Sequence, residues 1–182
     1  LGAMDAPAGL DAVMLRLTRQ FPGDRGVLAP LLMQHVALPP GGALFIGPNV
    51  PHAYLSGDLV ECMACSDNVV RVALTPKLRD TATLVDMLDY TAGGSARLLE
   101  PRGLGGGCTA TVTYAPPVEE FAIDRTTLRG GQEEALPAEP HAALLLVLGG
   151  SGTVAGMPAA EGAAFLAPAG AAISLAAAAG AG

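Results

Sequence analysis

At 182 residues, with 51% hydrophobic and 15% charged residues, the chain has the apolar content to bury a core in one domain or two small ones, and it does not have a disordered segment's composition. Ten Lys and Arg against 17 Asp and Glu give a formal charge of -7; Lys77 is the lone lysine and the arginines are scattered, so no nucleic-acid surface is expected. Much of the apolar excess is Ala, aromatics are 4% and Trp is absent, so a core must be built from Leu, Val, Ile and Ala.

Leu1 rather than Met opens the chain, and no basic stretch followed by an apolar one marks a secretory leader. A processed chain, or one that starts inside a longer one, is expected. Leu10 to Phe21 places Val13, Leu17 and Phe21 at i, i+4 and i+8 with Leu10 and Met14 beside them, which predicts an amphipathic helix ended by Pro22-Gly23-Asp24. Short strand-like runs follow: Leu31 to Leu38, Ala43 to Ile46, His52 to Leu55, Leu59 to Cys65 and Val69 to Leu74, each stopped by Gly, Pro, Asn, Asp or Ser. Closely spaced short strands of this kind predict a sandwich or barrel. Thr81 to Tyr90 predicts a short helix with Leu84, Val85 and Leu88 on one face.

Ala92 to Gly107 is Gly-rich and reads as a linker or long loop. The expected organisation is therefore residues 1–92 as a first body, 93–107 as a linker and 108–182 as a second strand-rich body. In that second body, strands are predicted at Cys108 to Tyr114, Phe121 to Leu128, Ala142 to Leu148, Thr153 to Ala155 and Ala163 to Leu166. Ala176 to Gly182 is too simple in composition to assign.

Between His141 and Gly182 the only charge is Glu161, but Gly149-Gly150-Ser151-Gly152 and Pro168 break the apolar runs, and no flanking Lys, Arg or aromatic belt is present. No membrane span is expected. The three cysteines, Cys62, Cys65 and Cys108, make no disulfide framework and fit a reducing compartment. Cys62-Met63-Ala64-Cys65 has the C-x-x-C spacing without the second Cys/His pair that a zinc knuckle needs, so two half-buried thiols are expected.

An internal repeat links the halves. Gly41 to His52 (GGALFIGPNVPH) aligns with Glu161 to Ala172 (EGAAFLAPAGAA), matching Gly42 with Gly162, Ala43 with Ala163, Phe45 with Phe165 and Pro48 with Pro168. Each copy reads as turn, short strand, Pro-containing turn, next strand. The first arrives at His52, the second at Ala172, so a duplicated barrel with one working site is expected.

His52 opens a strand after a Pro turn, and Glu61, Asp67 and Arg71 follow within the next strands. Inward positions of neighbouring strands in a small barrel converge on one cavity, where His and carboxylate suit a divalent cation. His35 and His141 read as structural or exposed. Arg71, inside Val69-Val70-Arg71-Val72-Ala73-Leu74, requires an anionic partner, a polar cavity or a solvent-facing strand. Paired with a buried Glu61 it is structural; facing a cavity it binds substrate.

Pro51-His52-Ala53-Tyr54-Leu55-Ser56-Gly57-Asp58, then Glu61-Cys62-Met63-Ala64-Cys65-Ser66-Asp67-Asn68, then Val70-Arg71 and Leu74-Thr75-Pro76-Lys77 together resemble the signature of type I phosphomannose isomerase. Gln20-Phe21-Pro22-Gly23-Asp24 ahead of that run and Pro116-Pro117-Val118-Glu119-Glu120-Phe121 behind it agree. The resemblance implies a mainly β fold of cupin-type double jelly-roll barrels with short accessory helices, and a cytoplasmic, monomeric zinc enzyme interconverting mannose 6-phosphate and fructose 6-phosphate for GDP-mannose supply. It implies that His52 is a zinc ligand, that Arg71 is the active-site arginine, and that Tyr54, Glu61, Asp67 and Lys77 line the substrate cavity. The second barrel is implied to be metal-free.

The chemistry suits these residue types. Isomerisation moves a proton between C1 and C2 through an enediol-like intermediate, and a fixed guanidinium holds the phosphate or offsets the developing negative charge. Glu61 with a raised pKa, or a metal-bound water, are both able to carry the proton. The family's remaining zinc ligands, a Gln, a His and a Glu, belong to an N-terminal segment with no counterpart here, as do its catalytic lysines. The chain is therefore expected to be a C-terminal part, incomplete at both ends, inactive and poorly metallated by itself. Two other readings stand beside this one: a metal-free cupin that binds a sugar phosphate or a protein partner without catalysis, and a purely structural Glu61–Arg71 pair.

Overall fold

The computed structural model describes residues 9–66, 69–92 and 96–180. The chain divides into two compact units: one runs to Glu100 and includes Pro116–Phe121, the other comprises Pro101–Ala115 and the chain from Ala122 onward.

In the first unit the amphipathic helix forms as expected. Helix α1 (Leu10–Gln20) buries Val13 and Leu17, one turn apart on its apolar stripe. A 3₁₀ helix (Arg25–Leu31) follows, capped by the Asp24 side chain, which accepts from the Gly26 amide at 2.8 Å. It occupies the start of the run read as a strand from Leu31. Strand β1 (Ala43–Phe45) pairs antiparallel with β2 (Arg97–Leu99), so the second partner lies inside the Gly-rich stretch read as a linker. Helix α2 (Thr81–Met87) is capped by Asp80, which accepts from the Thr83 amide at 3.1 Å and hydroxyl at 2.7 Å. It buries Leu84, whereas Val85, assigned to the same face, is 57% exposed.

The expected strands at Leu31 to Leu38, His52 to Leu55, Leu59 to Cys65 and Val69 to Leu74 are a correction. Among the described residues none of these segments joins a ladder. A short apolar run has the side-chain pattern of a strand, but a strand exists only through a neighbour that takes its backbone bonds. Without one, Leu59, Val60 and Met63 stay exposed. Cys62 and Cys65 are exposed free thiols for the same reason, not half-buried ones.

The second unit is all antiparallel β. Strand β3 (Arg102–Gly105) pairs with β4 (Cys108–Tyr114), which pairs with β5 (Ile123–Thr126). Beyond them run β6 (Glu133–Leu136), β7 (Ala143–Leu146), β8 (Ser151–Val154), β9 (Met157–Ala160), β10 (Ala164–Ala167) and β11 (Ile173–Ala177). Their ladders are nested: β8 pairs β9, β7 pairs β10 and β6 pairs β11. That is one long hairpin turning at Ala155-Gly156 and rolled up so that β11 also meets β8, which is how a jelly roll is built. The described strands make open sheets rather than a closed ring. Val154, Ala159 and Ile173 form the core between the sheets, with Leu145, Phe165 and Leu175 packed against them. The core is aliphatic because the composition supplies little else.

The repeat has a structural counterpart, shifted by one residue from the alignment above. The Gly42 amide bonds Pro39 O at 2.8 Å and the Ala163 amide bonds Ala160 O at 2.9 Å, closing equivalent turns. The third residue of each turn, Gly41 and Gly162, has φ +82°, the left-handed conformation that a type II turn requires. Each turn enters a short strand, β1 or β10, and each strand leads to a second turn at Asn49 or Gly170, both left-handed. In that register His52 matches Ile173 rather than Ala172. One copy ends on an exposed imidazole, the other on a core isoleucine.

A buried carboxylate ties two sheets of the second unit together. Glu134 on β6 is 8% exposed and accepts from the Thr109 and Ala110 amides of β4, both at 2.8 Å. It also accepts from the Thr111 hydroxyl, which in turn accepts from Thr126 at 2.7 Å. The Thr111 hydrogen bond, with the amide bonds behind it, holds the Glu134 carboxyl below the ordinary glutamate range against the cost of burial. Glu134→Ala leaves these donors unsatisfied and is expected to cost about 2–4 kcal/mol, read as a shift in the denaturant midpoint. The wild-type contribution is present above the unfolded glutamate pKa and is lost as pH falls through the lower folded value, so acid unfolding of the variant should be less pH-dependent than that of wild type.

Candidate functional site

The functional residues expected from the sequence lie in the first unit, on the irregular chain between the Pro48-Asn49 turn and α2, and fall into two groups. The first is built around His52. Its Nδ1 donates to Val50 O at 2.8 Å, because a carbonyl only accepts, which leaves Nε2 as the ring nitrogen open to another partner. The Tyr54 ring lies 5.6 Å from the imidazole between centroids, tilted by 59°. Tyr54 Oη donates to Glu61 Oε1 at 2.6 Å, across the Ser56-Gly57 turn. So His52, Tyr54 and Glu61 are brought together, and Glu61 is held by a phenol instead of by Arg71. The structural Glu61–Arg71 pair does not form.

Burial, then the hydrogen bond to Glu61, then the Glu61 charge raise the Tyr54 pKa to about 12. The phenol therefore stays protonated and donating throughout the physiological range. Its stabilising bond is complete below the ordinary tyrosine pKa of about 10 and is lost as pH rises through the folded value. In an ultraviolet difference titration of wild type against Tyr54→Phe, the phenolate step is expected near the top of the alkaline range. Glu61→Gln, which removes the charge, should bring that step down.

The second group lines an open cleft of about 550 Å³, formed by Ser66, Arg71, Lys77, Asp80 and Thr83 with Val69, Val70 and Leu78. Arg71 is half-buried and Lys77 exposed, and neither has an ion-pair partner among the described residues. Asp80 is the only carboxylate among the described lining residues, and both of its oxygens are engaged by Thr83 as the cap of α2. The Thr83 bonds also hold the Asp80 carboxyl below its ordinary pKa. Among the described lining residues, two cations stand against one carboxylate, a net positive set in an acidic chain. A guanidinium fork and an ammonium on one cleft have the chemistry to suit an anion such as a phosphate. Asp67, expected on the same cavity, lies outside the described residues.

As a metal centre the donors are incomplete. Among the described residues no group of three or more His, Cys, Asp or Glu is placed to hold a metal ion. His52 is oriented as a ligand should be, with its other nitrogen bonded to a backbone carbonyl. A lone imidazole still falls short of the three or four protein ligands of a zinc site.

Sequence reasoning overlooked Glu134, whose Glu133-Glu134-Ala135-Leu136 context shows no burial signal, and the role of Asp24 at the end of the Gln20–Asp24 motif. Among the described residues, no helix is long and apolar enough to cross a membrane.

Known proteins share these features in part. The family model described as phosphomannose isomerase type I C-terminal matches residues 111–155. The chain is 48% identical over 141 residues to mannose-6-phosphate isomerase of Cryptococcus neoformans, covering 77% of this chain and 32% of that protein. It is 45% identical over 143 residues to mannose-6-phosphate isomerase 2 of Arabidopsis thaliana, covering 78% and 31%. The Homo sapiens mannose-6-phosphate isomerase is 44% identical over 140 residues, covering 75% and 33%. Among solved structures, mannose 6-phosphate isomerase from Salmonella typhimurium bound to substrate and a zinc atom superimposes with a TM-score of 0.74 at 27% identity, over 96% of this chain and 44% of that one. Its apo form gives 0.74 at 27%, over 96% and 45%. The chain thus spans about a third of the length of the curated relatives it matches. With a nested jelly-roll unit and these likenesses in agreement, the chain is similar to type I phosphomannose isomerases over about three quarters of its length.

Proposed function

We propose that the intact protein carrying this chain interconverts mannose 6-phosphate and fructose 6-phosphate, as a zinc-dependent aldose–ketose isomerase feeding GDP-mannose supply. The observation that carries this reading is 44–48% identity to mannose-6-phosphate isomerases over about three quarters of the chain. The cationic cleft supplies the matching chemistry. Arg71 and Lys77 bind the anionic sugar phosphate, and the Arg71 guanidinium offsets the negative charge that develops on the substrate oxygens as the proton moves between C1 and C2. Tyr54 and Glu61 form the polar wall beside His52. His52 contributes one ligand to the zinc, whose chemistry when bound is to polarise the carbonyl or hydroxyl oxygens. The chain's own described residues do not complete that site, so the isolated chain is expected to be inactive.

A cytoplasmic setting agrees with three free thiols. The testing experiment is mannose 6-phosphate turnover by the intact, zinc-loaded protein, coupled to detection of fructose 6-phosphate. Turnover at enzymatic rates supports the reading. Sugar-phosphate binding without turnover returns the protein to a non-catalytic cupin.

A further inference from the structure

The Gln20-Phe21-Pro22-Gly23-Asp24 motif ends in a carboxylate that reaches across the first unit to the chain bearing the cleft. Asp24 Oδ1 accepts from the Gly26 amide at 2.8 Å, at the start of the 3₁₀ helix. Its Oδ2 accepts from the Leu74 amide at 3.1 Å and from Arg79 Nη1 at 3.2 Å. The Asp24 side chain is 12% exposed, and Arg79, its ion-pair partner, is 47% exposed. The bonds to Leu74 and Arg79 close loops of 50 and 55 residues.

What they hold is a strained corner. Leu74 has φ +56°, a left-handed conformation that a γ-branched residue with a Cβ adopts at a cost. Such a conformation persists only where its surroundings over-determine it. The Asp24 bond to its amide is one such constraint. The second is close packing: a Cβ added to Gly26 would lie 2.3 Å from the Ala73 Cβ and 3.3 Å from Leu74 Cγ. Chain 24–26 is thereby pressed against chain 73–74, and no side chain fits between them. Arg71 lies three residues before Leu74 and Lys77 three residues after it, and both line the cleft. The corner thus lies midway along the chain between the two cations.

We infer that Asp24 is a positioning residue for the anion cleft: by clamping the Leu74–Arg79 corner it sets the spacing of Arg71 and Lys77 and hence the affinity for the phosphate of the substrate. This inference rests on the sugar-phosphate reading of the cleft. It assigns Asp24 no contact with substrate.

The test uses the intact, zinc-loaded protein and two probes, mannose 6-phosphate in steady-state kinetics and inorganic phosphate in a ³¹P NMR titration. Asp24→Asn keeps size and one acceptor while removing the charge that holds Arg79 and weakening the hold on Leu74. It is expected to raise KM and the phosphate Kd by roughly tenfold, with kcat changed far less. Because Asp24 acts through the cleft, its effect should largely vanish in a Lys77→Ala background, a non-additivity that a general loss of stability does not produce. Asp24→Glu, which restores the charge, should recover part of the affinity. A lowered melting temperature with KM and phosphate affinity unchanged overturns the inference, as does full additivity with Lys77→Ala. If Asp24→Asn fails to fold, Gly26→Ala displaces the same corner through Ala73, and unchanged KM and phosphate affinity in that variant overturn it equally. Wild-type phosphate binding that Asp24→Asn weakens, without mannose 6-phosphate turnover, keeps the positioning role and removes the isomerase reading. Turnover with an Asp24-independent KM does the reverse, and a wild type that neither binds phosphate nor turns over removes both.

Discussion

Arg71→Ala in the intact protein is expected to lower kcat for mannose 6-phosphate by about 10²–10³-fold, the usual effect of deleting one preorganised donor to a developing oxyanion. The expectation rests on the position of the side chain, half-buried on the cleft wall with no ion-pair partner among the described residues. A guanidinium already committed to an ion pair would have less field to offer the substrate, and the structure shows that Glu61 is bonded to Tyr54 instead. Arg71→Lys should recover only part of the loss, since an ammonium keeps the charge and discards the planar fork. Steady-state kinetics with zinc content measured on the same samples makes the test specific: activity should fall while zinc stoichiometry holds. Near-normal turnover in Arg71→Ala would remove Arg71 from the mechanism.

His52→Ala should give the opposite combination, with zinc and activity lost together. With Val50 O fixing the Nδ1 proton, Nε2 is pre-set as a donor atom, and removing it is expected to weaken zinc by at least roughly 100-fold, the upper end of what even outer-shell changes cost. Competition against a chelator gives the affinity, and metal analysis the stoichiometry. The substitution lies on exposed chain, so the melting temperature of metal-free protein should change little. Full zinc occupancy in the variant would sink the ligand assignment.

Much of this site was legible in the one-dimensional chain because its residues are close in sequence. The Pro51–Lys77 run carries His52, Tyr54, Glu61, Arg71 and Lys77 with fixed spacing, and a turn such as Ser56-Gly57 is enough to fold Tyr54 back onto Glu61. The helices were legible for a similar reason: Val13 and Leu17 are one turn apart, and their relation is set locally. The strands of the first unit were misread because alternation reports which face a residue would take, whereas pairing depends on a neighbour that the segment itself does not encode. The reverse error occurred in the second unit. Met157–Ala160 and Ile173–Ala177 have weak strand composition, MPAA and ISLAA, yet become strands because β8 offers them backbone partners.

By itself, then, the sequence determined an acidic, Lys-poor chain with an aliphatic core, two helices, a repeated turn–strand–turn unit and the inventory of polar and charged side chains between Pro51 and Lys77. Only the tertiary structure decided which of those side chains are partnered. It bonds Glu61 to a tyrosine, engages Asp80 in a helix cap, leaves Arg71 and Lys77 facing an open cleft, and sends Asp24 and Glu134 to donors tens or more than twenty residues away. The physical reason is that charge and hydrogen-bonding capacity belong to the residue, whereas desolvation and partnership belong to the place where the fold puts it.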